Sequence, residues 1–95
     1  MEVDKLEERI SRETKALGLM NDPVMKQARE HIDAELYRLF KETKPTDTDA
    51  LSQISGMQYM HTKYLAYLNQ CLTDGKMARI ELEQKKKGFK ERLFG

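Results

Sequence analysis

Val3, Leu6, Ile10 and Leu17 recur at spacings of three, four and seven, which predicts an amphipathic helix over about residues 2–17 with these side chains on one face. Glu8 with Arg12 and Arg9 with Glu13 are four apart and predict ion pairs on the opposite face. Gly18 is placed to end this helix in a left-handed cap. A second start signal follows in "NDPVMKQ": Asp22 offers a carboxylate to orphan amides while Pro23 takes the first helical position. Val24, Ala28, Ile32, Leu36, Leu39 and Phe40 form the apolar stripe of this second helix, with Lys26–Glu30, Arg29–Asp33 and Arg38–Glu42 as outer pairs. It should end near Thr43, because Pro45 disfavours helical geometry at Lys44.

"TDTD" at 46–49 supplies N-cap candidates for a third helix, with Thr46 and Asp49 spaced as a capping-box variant. From there Ala50, Ile54, Met57, His61, Tyr64, Leu68 and Cys71 alternate steps of four and three, a heptad seam that continues through Gly75, Ala78 and Leu82. Either "TDG" at 73–75 turns the chain back into a fourth helix, or one helix runs from about 48 to 87. The second reading is preferred: a lone glycine costs only about 1 kcal/mol inside a helix, and no proline follows it. On that reading Gly75→Ala should stabilise. A helix this long outruns the second helix, so Met77, Ala78, Ile80 and Leu82 would lack an intrachain partner unless the first helix reaches them. Met77, Ile80 and Leu82 are therefore the expected self-association surface.

The expected fold is all-α: an antiparallel hairpin of helices 2 and 3, an N-terminal helix packed on it, and a long helix 3 running into a basic tail. The helical domain would cover residues 1–84 and the tail residues 85–95. Composition changes this picture little. Charged residues make up 35% of the 95 and aromatic ones only 7%, which suits helices rather than a β-sandwich.

Charge adds more. Residues 1–22 carry six acids and four bases, 23–44 four and five, 45–75 three and one, and 76–95 three and seven. The net +1 thus hides a segment of +4 at the end of the chain, suited to an anionic or polar partner. The lone Cys71 excludes an internal disulfide and favours a reducing compartment. The charged N-terminus lacks a signal-like apolar run, so an unexported protein with no membrane association is expected.

No motif here carries chemistry. His31 and Glu35 are four apart, but position 28 is alanine and position 58 glutamine, so the Glu-x-x-His spacing of di-iron bundles fails at both histidines. His61 falls on the heptad seam, where a polar residue can fix register or oligomeric state, although a satisfied or partly exposed core histidine is the commoner case. Tyr59, Tyr64 and Tyr67 surround one cation, Lys63, too few for a phosphate-tracking surface. The expectation is of no catalytic residues, no metal site and no cofactor. The six methionines serve a thin core or an adaptable surface equally well.

The ending "KKKGFKERLFG" is different: it joins five cations to three apolar anchors. Gly88 could release the helix, leaving Phe89, Leu93 and Phe94 to dock in a groove on another protein with Lys85, Lys86 and Lys87 as a cationic rim.

"DPVMKQAREHIDAELYRLFKETKPTDTDAL", "DGKMARIELEQKKKG" and the closing "RLFG" together resemble small uncharacterised helical proteins encoded in tailed-bacteriophage genomes, often near head and DNA-packaging genes. The resemblance implies a role in virion assembly or packaging, in the host cytoplasm or the virion, with no residue-level function to carry over. The expected function is that of a non-enzymatic, oligomerising assembly protein docking on a larger partner. The alternatives are a nucleic-acid-binding packaging subunit using clustered basic C-termini and a small monomeric inhibitor of a host protein.

Overall fold

The computed structural model describes residues 2–94, apart from the side chain of Phe94. Those residues form three α-helices and no strand: α1 Val3–Asn21, α2 Pro23–Glu42 and α3 Thr48–Phe94. They group into two compact units. One comprises residues 1–18 with 68–95, the other residues 19–67.

The helix ends follow local chemistry, though not always the residues expected. α1 does not stop at Gly18, which keeps an ordinary negative φ, but runs on to Asn21. What ends it is Asp22, held extended at φ −64°, ψ 127° by the proline behind it. The same carboxylate accepts from Met25 N at 2.9 Å and starts α2, so a single residue separates the two helices. α1 has no basic residue in its last turn. Arg29 of α2 takes that part, donating from Nη2 to the Met20 carbonyl at 2.7 Å.

α2 ends at Glu42, with the Thr43 amide shared between the Leu39 and Phe40 carbonyls. For α3 the cap is Asp47 rather than Thr46: its Oδ1 accepts from Ala50 N at 3.1 Å and its carbonyl from Leu51 N at 3.1 Å. α3 then continues for 47 residues, through both Gly75 and Gly88 without a positive φ at either. The C-terminal segment is therefore more of the same helix, and Gly88 does not release a separate peptide.

In the first unit α1 packs on α3, and the contact is unusually polar. Leu6 and Ala78 are wholly enclosed, with Ala16 and Leu68 nearly so. The seam of α1 runs Leu6, Arg9, Glu13, Ala16, while Val3 and Leu17 of the expected stripe lie about half exposed. Gly75 explains the shift. It is buried, and the space a side chain would occupy there is filled by Glu13, whose Cγ and Cδ would lie 2.8 and 2.9 Å from a Cβ at that position.

Glycine is thus required at position 75 by a helix crossing, where two backbones approach through a missing side chain. The expectation that Gly75→Ala stabilises is overturned, although the helix is continuous as expected. Ala78 is wholly buried and Leu82 partly covered within the same unit.

In the second unit burial is slight. α2 contains no buried residue, and Ile54 is the one buried side chain among residues 19–67. Asp33 of α2 meets His61 of α3, and Leu36, Tyr37 and Phe40 share a shallow groove with Gln58.

Candidate docking surface at the end of α3

Two clusters in the first unit combine charge with shape. The inner one lies at the Gly75 crossing. Arg9 donates from Nε to Asp74 Oδ1 at 3.0 Å, while its Nη2 lies 2.9 Å from the same oxygen and 3.3 Å from the Asp74 carbonyl. Its Nη1 reaches Glu81 at 3.9 Å. Beside it, Arg79 Nε donates to Glu13 Oε1 at 2.7 Å, with the Glu13 side chain 9% exposed.

Arg9 and Glu13, expected to pair with each other on the outer face of α1, instead each reach across to α3. A carboxylate this enclosed needs its cation, so the pairs fix the register of α1 on α3. The sequence held one signal for this arrangement: "TDG" at a heptad position that does not turn is a notch for the helix opposite.

The outer cluster is the lysine-rich end of α3. Here Val3 and Leu82 form the floor of a groove walled by Phe89 and the stems of Lys85, Lys86 and Lys90. A second groove, lined by Glu81, Gln84, Lys85, Gly88 and Arg92, lies on the other side of Phe89. Phe89 and Leu93, four residues apart on one face, are 62% and 59% exposed. Lys85, Lys86 and Lys87 are all exposed. The structure brings Phe89 together with Lys85 and Lys86 and adds Val3 and Lys90, while Lys87 lines neither groove. Phe94 lies outside the described side chains.

Of the self-association residues, Met77 and Ile80 are exposed, whereas Leu82 is partly covered in the groove beside Val3. Sequence reasoning missed Val3 because its contact with α3 is set by how the helices pack.

The remaining candidates bring no chemistry together. His31 is exposed. Glu35 is held below the ordinary carboxylate range by hydrogen bonds from Arg38, whose guanidinium also bonds Glu42 at 2.7 Å and is raised in turn. His61 Nε2 sits buried, 3.0 Å from Asp33 Oδ1 but without a directed hydrogen bond. Lys63 stands 5.3 Å over the Tyr59 ring, an exposed cation–π contact that uses the one cation among the tyrosines. Cys71 is a free, partly buried thiol.

Among the described residues, no group of three or more His, Cys, Asp or Glu side chains is arranged to hold a metal ion. No helix among them is long and apolar enough to cross a membrane. Comparison of the chain with protein-family models, with curated proteins and with solved structures finds no match.

Proposed function

We propose that this chain is a non-enzymatic helical assembly protein that docks on a larger protein through the end of α3 and associates with further copies of itself. The observation that carries the reading is the exposed Phe89–Leu93 pair, set on a continuous helix beside an apolar groove and ringed by lysines. Large aromatic side chains left in water at the end of a rigid element are the usual anchors of a helix-in-groove contact. The lysines supply a rim that speeds encounter and adds little affinity.

On this reading the unit formed by α1 and the C-terminal part of α3 presents the anchors. The pattern resemblance to helical proteins of tailed phages supports a place in a phage particle or its packaging machinery.

Photo-crosslinking tests the reading. A benzoylphenylalanine at position 89, introduced in the cells where the assembly forms, should trap one protein partner, and Phe89→Ala with Leu93→Ala should abolish capture through a second crosslinker at Lys90. Lys85, Lys86 and Lys87 changed together to Gln should weaken it only modestly. The reverse ranking, with the lysine change decisive and nucleic acid in the crosslink, would replace docking on protein by nucleic-acid binding.

A further inference from the structure

The two units differ in a way that identifies where copies of the chain meet. In the first, α1 covers the seam of α3, and the large apolar side chains that α3 still exposes there are Met77, Ile80, Phe89 and Leu93. In the second, a helix of 20 residues contributes no buried residue, and its neighbour contributes Ile54 alone. Helices of this length are marginal in water without an apolar face to pack, so a helix pair with one buried side chain is an incomplete core.

The uncovered side chains are ordered. Met57, Met60, Tyr64 and Tyr67 follow steps of three, four and three along α3, and Val24, Ala28 and Ile32 steps of four along α2. Neither stripe contains a charge. Apart from Ala28, these residues are 42–70% exposed, which amounts to roughly 600 Å² at about 200 Å² for a free large side chain.

We infer that this face binds a second copy of the chain, joining two α2–α3 hairpins into a four-helix bundle. The inference rests on the reading of the protein as self-associating and moves the contact from Met77, Ile80 and Leu82 to the second unit. Two observations favour a second copy. The exposed area is close to the roughly 800 Å² per partner of a stable dimer, and the contact of four helices is the smallest arrangement that gives such stripes an interior. The stripes carry no charge that would demand an oppositely charged partner.

Sedimentation equilibrium on the full chain should give the dimer mass, and Met60→Glu with Tyr64→Glu should weaken dimerisation by about 100-fold or more, as expected when two large apolar anchors meet charge instead. Met77→Glu with Ile80→Glu should leave the mass unchanged. A disulfide test that introduces no charge accompanies them. In a Cys71→Ser background, Met60→Cys or Tyr64→Cys should form an intermolecular disulfide under mild oxidation, and Ile80→Cys should not.

A monomer at all concentrations with no crosslink at position 60 or 64 would overturn the inference and self-association together, leaving docking through Phe89 to its own crosslinking test. A dimer broken by the Met77 and Ile80 changes, and crosslinked through position 80, would overturn this inference alone.

Discussion

Substituting Gly75 by alanine sets helix propensity against packing at one atom. Propensity favours alanine by about 1 kcal/mol, because glycine loses more backbone freedom on entering a helix. Packing opposes it. Ordinary carbon–carbon contact begins near 3.5 Å, whereas a Cβ at position 75 would lie 2.8 Å from Glu13 Cγ, 2.9 Å from Cδ and closer still to Cβ.

The Glu13 Cβ is fixed to the α1 backbone and cannot rotate away, so α1 must move off α3 by an ångström or more. That movement stretches the 2.7 Å Arg79–Glu13 bond and the 2.9 Å Arg9–Asp74 contact, and opens the enclosure of Leu6 and Ala78. Overpacking costs about 1–3 kcal/mol in cores, and a clash against a backbone-anchored atom belongs at the upper end. Set against the propensity gain, the net is a destabilisation of about 2 kcal/mol, equivalent to a fall in Tm of roughly 8–15 °C for a chain of this size.

Thermal unfolding followed by circular dichroism measures it. A raised or unchanged Tm would refute the reasoning. The Glu13→Gly background isolates the cause, because removing the opposing Cβ should make the same Gly75→Ala change neutral or stabilising, a coupling of about 2–3 kcal/mol between the two sites.

Three further outcomes follow from the contacts. Arg79→Ala leaves the nearly buried Glu13 carboxylate without its cation and should destabilise by about 1–3 kcal/mol in chemical denaturation, with Glu13→Gln restoring part of the loss. Asp47→Ala removes the cap on the first amides of α3 and should cost about 1 kcal/mol by the same measurement, whereas Thr46→Ala should have no effect. The Arg38 guanidinium holds the folded-state pKa of Glu35 below its unfolded value, so the pair contributes fully above the ordinary carboxylate range and is lost as pH falls through the lowered value. Glu35→Gln should therefore reduce helicity slightly at neutral pH and leave it unchanged in strong acid, as read by far-ultraviolet circular dichroism.

Which stretches become helix was legible in the sequence, because period and punctuation are local. Asp22 and Pro23 act within one turn, the 4–3 seam of α3 is a property of one helix, and a mid-helix glycine without a following proline leaves that helix unbroken. The same local rules failed where a residue had two uses. Gly18 could end a helix or continue one, and Thr46 or Asp47 could cap, since each choice differs by an amount that neighbouring contacts outweigh.

The anchor residues Phe89 and Leu93 were visible as apolar positions among cations, but the groove beside them was not, because Val3 lies more than eighty positions away in the chain. Arg9 and Glu13 satisfy each other on paper at a spacing of four. Only the approach of α3 through the gap at Gly75 turns them outward to Asp74 and Arg79. Periodicity reports which side of a helix is apolar. Which other helix meets that side, and how closely, depends on side-chain volumes brought together from distant parts of the chain, and here it was decided by the side chain that Gly75 lacks.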